Sequence, residues 1–186
     1  ARKRVEELEK EELCGYIFKS DSPSSGMERV KVYSDKGIPS KVGVGIFARI
    51  FMEHFPLTPV EEEGRLHDPV LRENFIERIF TCMRYCDIME GTRQVGRLVD
   101  FQTKNKLLLM AHSPKHLKEM GSLVAHAKGM PARELVERYE SLLMEAMALK
   151  PTVAKHENVL MHIMGYFKKD LSADEKQELL EIINDY

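Results

Sequence analysis

The spacing of apolar residues changes near residue 88, and this change divides the chain into two predicted parts. Before residue 88, the runs GYIFKS and RVKVYS have the apolar content or two-residue alternation of β-strands. Amphipathic helices are predicted before the first run and after the second, and Asp68 followed by Pro69 is typical of a helix N-terminus. Two strands alone make a poor sheet. Residues 1–88 are therefore predicted to form an incomplete, Rossmann-like α/β portion.

Two details of this first part lead to specific expectations. The helix after Asp68 is predicted to turn its large apolar residues inward, and these are Leu71, Phe75, Ile76, Ile79, Phe80 and Met83. The glycines of Gly43-Val-Gly45, which precede a helix, resemble part of a phosphate-binding loop. The third glycine and the Walker lysine are absent, so this signal is weak.

After residue 88, all apolar stripes have helical spacing, and five helices are predicted. The first spans Val95–Met110, and the second starts at Ser113-Pro114 and ends at Gly129. The others follow Pro131, Pro151 and the capping box that begins at Ser172. Short connections predict a compact antiparallel bundle over residues 89–186. The predicted fold class is α+β overall, with the incomplete α/β portion followed by an all-α helical bundle.

Composition places the chain among globular proteins and excludes several function classes. Its 186 residues are 43% hydrophobic and 31% charged, and the net charge is −2. No apolar run approaches the roughly 20 residues of a membrane span, and the start ARKRVEELEKEEL lacks the apolar region of a signal peptide. We therefore expect a cytoplasmic protein without membrane association. Because the chain begins without Met inside a helical pattern, we also expect it to be a fragment or a processed product.

The three cysteines, Cys14, Cys82 and Cys86, fit neither a disulfide framework nor a paired C-x-x-C zinc site. Cys82 and Cys86 are four residues apart on one helical face, so they could share a metal or a redox bond. The favoured interpretation is two small buried apolar side chains at a helix end. No metal site is assigned from the sequence.

Candidate ligand-binding residues lie in the helical part. Asn158, His162 and Tyr166 belong to a polar, cationic stripe that is predicted to be either a solvated face or an anion or nucleotide site. His112 and His116 flank the predicted helix start at Ser113, and helix N-termini attract anions. Together with His162 and Lys106 they could bind an acidic ligand. Zinc is the disfavoured alternative because no H-E-x-x-H or comparable spacing occurs.

Three long strings in the first part resemble a known enzyme family. GYIFKSDSPSSGMERVKVY, GVGIFARIFMEHFPLTPVEEEGRL and DPVLRENFIERIF look like the C-terminal half of a 2-thiouracil desulfurase (TudS) type of domain. The strings LVDFQTKNKLLLMAHSPKHLKEMGSLVA and KHENVLMHIMGYFKKDLSADEKQELLEIINDY resemble the YbgA-like helical domain, which is often fused behind it. The resemblance covers roughly residues 1–88 for the first domain.

The resemblance implies a role for two serines. Desulfurases of this type carry an SPSCG motif whose cysteine is one of three thiolate ligands of a 4Fe–4S cluster, and the first serine of that motif assists at the active site. Carried over, Ser22 is the catalytic helper and Ser25 stands at the cluster-ligand position. Serine binds iron more weakly than a thiolate. In the YbgA-like part, Gln102 stands where a histidine is common in the family.

The sequence thus predicts a member or fragment of the iron–sulfur-dependent thio-nucleobase desulfurase-like family that does not hold the cluster by itself. A thio-nucleobase or a nucleotide is the expected ligand, while nucleic-acid binding and a homo-oligomer are left open. The alternative is a non-enzymatic module in which the helical part binds a nucleotide, nucleic acid or a protein partner.

Overall fold

The computed structural model describes residues 1–89 and 95–185. The chain divides into two compact units, Ala1–Glu90 and Gly91–Tyr186. The first unit combines helices with short strands and the second is helical, which confirms the predicted α+β class. No helix within the described ranges is long and apolar enough to cross a membrane.

Besides a short 3-10 helix (Arg65–His67), the first unit contains three α-helices and four short strands among its described residues. In chain order they are α1 (Arg2–Leu8), β1 (Tyr16–Phe18), β2 (Val30–Tyr33), β3 (Pro39–Gly43), α2 (Ile46–His54), β4 (Val60–Glu62) and α3 (Pro69–Met89). Strand β1 pairs in parallel with β4, and β2 forms an antiparallel hairpin with β3. Strands β1 and β2 are predicted from the sequence, whereas β3 and β4 are not, because PSKVG and VEE show no apolar alternation.

An aromatic cluster joins the sheet to the helices of this unit. Phe18 from β1 and Phe51 from α2 are fully buried, and their rings meet edge-on at a centroid distance of 5.5 Å. Val5 and Leu8 of α1 complete the core from the other side. Burial of such side chains is worth about 1.5–3 kcal/mol each, so this cluster fixes β1 and the segments that leave its two ends.

Helix α3 begins as predicted but buries a different face. The Asp68 Oδ1 atom accepts hydrogen bonds from Val70 N and Leu71 N at 2.8 and 3.2 Å, which confirms the predicted N-cap. The predicted inward positions Ile76, Phe80 and Met83 are wrong, since their side chains are 40–48% exposed. The residues buried on α3 are Asn74, Phe75, Thr81, Cys82 and Tyr85. The apolar pattern of this helix fits two adjoining faces, and tertiary contacts select the one that contains Phe75 and Cys82.

The second unit contains six helices among its described residues. They are α4 (Val95–Lys104), α5 (Lys106–His112), α6 (Pro114–Ala125), α7 (Ala132–Ala148), α8 (Val153–Tyr166) and α9 (Ala173–Asn184). The single helix predicted over Val95–Met110 is wrong, because the chain breaks at Asn105, whose Nδ2 donates to Phe101 O. Helix α6 ends at Ala125, earlier than the predicted stop at Gly129.

Capping and core predictions for this unit have mixed outcomes. The Ser113 N-cap and the capping box of Ser172 and Glu175 are confirmed. The apolar spacing after Pro131 predicts an inward stripe of Leu135, Val136, Tyr139, Leu142, Leu143 and Ala146. All of these except the half-buried Leu142 are buried on α7, which supplies much of the core. The apolar spacing of α8 predicts a core face of Val153, Leu160, Ile163, Met164 and Phe167. This prediction is wrong for Val153 and Phe167, which are more than half exposed, and the other three are only half-buried.

Candidate functional site

A serine-rich loop, Lys19–Gly26, leaves the carboxyl end of strand β1. Ligands of open α/β sheets bind at the carboxyl ends of strands, so the position itself favours a binding function. Asp21 adopts a left-handed backbone conformation with φ of 54°. Non-glycine residues are uncommon there and concentrate at functional loops. The loop is therefore a tightly formed corner rather than an extended connection.

The two serines that the resemblance singled out hold this corner together. Ser22 Oγ accepts a hydrogen bond from Ser25 N at 3.2 Å and lies 3.2 Å from Ser24 Oγ. Ser25 Oγ accepts from Lys19 N at 3.3 Å, and both serines are half-buried. Such side-chain-to-backbone bonds replace a regular hydrogen-bond ladder in turns. The hydroxyls at positions 22 and 25 thus stabilise the loop in the described structure.

Helix α2 locks the loop from one side. The Ser24 carbonyl accepts hydrogen bonds from Phe47 N at 2.7 Å and Ala48 N at 3.3 Å, so it caps two of the free N–H groups at the start of α2. A Cβ atom at Gly45 would lie 2.5 Å from the Ser24 carbonyl atoms, and hence only glycine allows this approach. This backbone contact accounts for Gly45 of the pattern that resembled a phosphate loop, and Gly43 instead packs closely against Val30 and Val32.

Two glutamates of the segment Glu61–Glu63 hold the loop from the other side. Glu62 is 5% exposed and accepts hydrogen bonds from Met27 N at 2.6 Å and Glu28 N at 3.3 Å. Glu63 accepts from Ser20 N at 2.6 Å and pairs with Lys19 Nζ at 2.5 Å. The lysine hydrogen bond is the largest factor that lowers the pKa of Glu63 to about 2. The third glutamate, Glu61, is also buried and pairs instead with Arg65 Nε at 2.6 Å.

These glutamates were not among the site residues predicted from the sequence. Their signal was present: three consecutive carboxylates follow Val60 in a segment that continues a buried strand. Carboxylates are almost never buried without partners. A run of acidic residues at a strand end therefore indicates that unsatisfied N–H groups or cations lie nearby.

A small pocket of about 160 Å³ opens beside the loop. Side chains of both charges line it together with Ser20, namely Asp21, Glu28, Arg29, Lys41, Glu62 and Arg65. Arg65 forms an ion pair with Glu28, and Lys41 Nζ lies 3.5 Å from Asp21 Oδ1. Ser22 and Ser25 are not among the lining residues. The pocket therefore offers acceptors and donors to a small polar ligand, while the two serines shape the loop at its edge.

The loop does not fit the metal cluster of the resembling family. A 4Fe–4S cluster is held by cysteine thiolates, whereas positions 22, 24 and 25 offer only hydroxyl oxygens. The described cysteine Cys14 precedes β1 and so lies at the opposite end of that strand from the loop. Cys82 and Cys86 lie on α3, where they approach Cys14. The residues present at this corner thus supply no thiolate to the cluster.

The three cysteines instead form a group of their own. The sulfur atoms of Cys14, Cys82 and Cys86 all lie within 4.8 Å of one another. Cys82 is buried, Cys14 is half-buried and Cys86 is exposed, so the expectation that both helical cysteines are buried is wrong for Cys86. The hydrogen bond to Cys86, together with burial, raises the pKa of Cys82, and burial raises the pKa of Cys14. Both thiols are therefore protonated at neutral pH when no cation is bound.

The predicted ligand residues of the helical unit lie in different environments. His112 is fully buried, its Nδ1 is 2.7 Å from Leu149 O, and its own carbonyl accepts from Lys155 Nζ at 2.6 Å. His116 Nδ1 lies 2.7 Å from Ser113 Oγ, and its Nε2 lies 3.6 Å from Glu145 Oε2. Both histidines thus contact other residues of the chain. They lie on either side of the start of α6.

The remaining predicted residues are more accessible. Lys106 and Asn158 are exposed. His162 and Tyr166 form a pair on α8, with Nε2 and the phenol oxygen 3.0 Å apart and the rings edge-on at 5.1 Å. The structure therefore brings His162 and Tyr166 together as the stripe predicted.

A partly buried polar link and a surface groove are two further features of the helical unit. Gln102 accepts a hydrogen bond from the Tyr139 hydroxyl at 2.7 Å and donates to Leu117 O at 3.2 Å, so it joins three helices. A groove of about 430 Å³ is lined by residues of α6, α7 and the segment between them, including Glu119, His126 and Arg138. None of the six predicted ligand residues lines this groove.

Comparisons with known proteins support the resemblance in both parts. Residues 1–63 match the family model described as 2-thiouracil desulfurase, and residues 106–186 match the one described as protein of unknown function (DUF1722). The chain is 27% identical over 110 residues to a protein of Escherichia coli (strain K12) called uncharacterized protein YbgA. That match covers 59% of this chain and 65% of the relative, which is less than two thirds of its length. No solved structure matches the chain significantly.

Proposed function

We propose that the Lys19–Gly26 corner binds a thio-nucleobase or a similar small heterocycle without releasing its sulfur. The proposal is supported by the chain's joining of a desulfurase-like segment to a YbgA-like segment. The observation that carries this proposal is Ser25. It stands at the position of a cluster thiolate, yet its hydroxyl bonds to the Lys19 amide within a fully formed loop. The corner keeps the loop that would bind the ligand, but the Ser25 hydroxyl stands in place of a thiolate that desulfuration would need.

The pocket beside the loop has the size and polarity for such a ligand. Its volume of about 160 Å³ is below the roughly 300–1,000 Å³ of sites for drug-sized molecules, which favours a single ring. A nucleobase presents ring N–H donors next to carbonyl or thiocarbonyl acceptors. The carboxylates of Asp21, Glu28 and Glu62 can accept from the former, and the cations of Lys41 and Arg65 can donate to the latter.

A binding experiment with a matched variant tests the ligand. We expect 2-thiouracil to shift the backbone amide resonances of Ser20, Asp21 and Glu28 in the full chain. Lys41→Ala removes a pocket cation and should weaken binding about tenfold, in line with the loss of a charge-assisted hydrogen bond. Lys31→Ala is the control, because Lys31 is the cross-strand partner of Lys41 but does not line the pocket. Equal effects of the two substitutions, or no resonance shift, would contradict the proposal.

A second experiment tests whether the chain lacks desulfurase activity. The chain, treated with iron and sulfide under reducing conditions and then mixed with 2-thiouracil, should release no sulfide above the protein-free blank. The triple variant Cys14→Ser, Cys82→Ser, Cys86→Ser, treated in the same way, should develop no broad visible absorption, since the loop offers hydroxyls alone. Sulfide release that persists in the triple variant, or a cluster spectrum in that variant, would show that the corner holds a cluster despite Ser25.

The pair of His162 and Tyr166 supports a second candidate function, in which the helical unit binds an anionic ligand. Its phenol and imidazole are held together on α8 next to the exposed Asn158. Titration of the full chain with a nucleoside monophosphate should shift the His162 imidazole resonances and leave those of the buried His112 in place. An unresponsive His162 would remove this candidate.

A further inference from the structure

The cysteine group of the first unit is a preformed arrangement of ligands rather than a chance contact. Cys14 lies two residues before β1, while Cys82 and Cys86 occupy successive turns of α3. Gly15 makes the approach possible, because a Cβ atom there would lie 2.4 Å from Ile79 Cγ2 and 3.5 Å from Phe75 Cζ. The absence of a side chain at Gly15 therefore lets the chain before β1 pack against α3 and brings the third sulfur to the other two.

A disulfide does not account for the arrangement. Side chains four residues apart on a helix have Cβ atoms about 5–6 Å apart, whereas a disulfide needs about 3.5–4.5 Å. Cys82 and Cys86 can thus be bridged only if α3 is distorted. A bond from Cys14 to either of them would leave the remaining thiol beside it. Simple core packing does not explain the group either, since Cys86 is exposed.

The spacing of the sulfurs fits one metal ion. Sulfurs that share a zinc ion at about 2.3 Å in tetrahedral or trigonal geometry lie about 3.8–4.0 Å apart. The three sulfur atoms already lie within 4.8 Å of one another, so small side-chain rotations would bring them to the spacing that one zinc ion requires. In a 4Fe–4S cluster each cysteine binds a different iron. Its ligand sulfurs are then farther apart than those around one ion, and the present spacing favours a mononuclear centre.

Charges of both signs lie near the cysteine group. One Zn²⁺ with three thiolates carries a net charge of −1, and Arg78, one turn before Cys82, lies close enough to interact with that sulfur electrostatically. Asp87 is the acidic side chain that acts on Cys14. Because Cys86 is exposed, the fourth coordination position can face solvent and take water or an external ligand.

We propose that Cys14, Cys82 and Cys86 form a mononuclear zinc site at the end of β1 opposite the serine-rich loop, with three thiolate ligands and an open fourth position. The site is independent of the function proposed for the loop. Cys82 and Cys86 also lie outside both segments that match the family models, which cover residues 1–63 and 106–186.

Cobalt and zinc titrations of the reduced, metal-free full chain test the proposal. One equivalent of Co²⁺ should give intense thiolate charge-transfer bands and tetrahedral d–d bands, and one equivalent of Zn²⁺ should remove them. Cys86→Ser alters an exposed ligand and should weaken zinc binding by more than the roughly 10–100-fold that loss of an outer-sphere partner costs. Met83→Ala, an exposed neighbour on α3, is the control and should leave the affinity unchanged. Circular dichroism of each variant checks the fold.

Three results would overturn the assignment. The first is a chain that binds neither ion with thiolate bands. The second is equal zinc affinity for the chain and both the Cys14→Ser and Cys86→Ser variants. The third is exclusive uptake of iron and sulfide by the three cysteines, seen as a broad absorption that the triple serine variant lacks.

Discussion

The buried carboxylate of Glu62 allows the sharpest test of how the serine-rich loop is held. Glu62 is 5% exposed and accepts hydrogen bonds from the amides of Met27 and Glu28. Glu62→Ala leaves both amides without this acceptor. The 2.6 Å bond from Met27 is a short charge-assisted one, worth about 1.5–3 kcal/mol, and the longer bond from Glu28 contributes about 0.5–1 kcal/mol. The expected loss of unfolding free energy is about 2–4 kcal/mol.

Two measurements separate a local effect from general damage. Urea unfolding of the chain gives the total loss, and amide hydrogen exchange by NMR should show that Met27 and Glu28 lose protection first. Glu62→Gln keeps one acceptor oxygen and should cost about half as much, since the charge assistance is removed. Glu53→Ala, an exposed glutamate on α2, is the control and should stay within about 0.5 kcal/mol. A loss below 1 kcal/mol for Glu62→Ala, with unchanged protection of Met27, would refute the role of Glu62.

Three further predictions concern other contacts of the two units. Gly45→Ala should destabilise the chain by about 1–3 kcal/mol because its Cβ meets the Ser24 backbone at 2.5 Å, whereas Gly96→Ala, with open space in α4, should be neutral or stabilising in the same thermal melt. The Ser20 amide resonance should stay unchanged as the pH falls through 4.5 and move only near the pKa of Glu63 of about 2, since the folded state favours the charged carboxylate; a midpoint near 4.5 would contradict this. Tyr139→Phe should cost about 1–2 kcal/mol in urea unfolding because the hydrogen bond to Gln102 is lost, while the exposed Tyr33→Phe should have no measurable effect.

Local signals were predicted well because they depend on neighbouring residues. The N-caps at Asp68 and Ser113 and the capping box at Ser172 each involve a side chain and a backbone group within three residues. These contacts form whatever the rest of the fold does. The strands β3 and β4 were missed for the opposite reason. Their residues carry no apolar alternation, and their pairing depends on partners elsewhere in the chain.

The candidate site likewise combines local contacts, which could be predicted, with long-range contacts, which could not. Ser22 and Ser25 were identified through a motif, and the structure gives them hydrogen bonds within the loop itself. The contacts of Glu62 and Glu63 with that loop reach across the fold, so the run of acidic residues indicates buried partners but does not identify them. The tertiary contacts of α3 likewise decided which of its two apolar faces is buried.

The cysteine group could not be predicted from the sequence because it too depends on a long-range contact. The helical spacing of Cys82 and Cys86 was noted, but the third sulfur comes from Cys14 and depends on the close packing that Gly15 allows. Strand β1 then has a group of soft sulfur ligands before its first residue and a loop of hard oxygen ligands after its last. A borderline-soft ion such as Zn²⁺ selects the first. The polar heterocycle proposed as the loop's ligand would bind at the second, where carboxylates and cations line the pocket. The two ends of one strand therefore offer different chemistry, and a substitution at Cys86 should leave ligand binding at the loop intact.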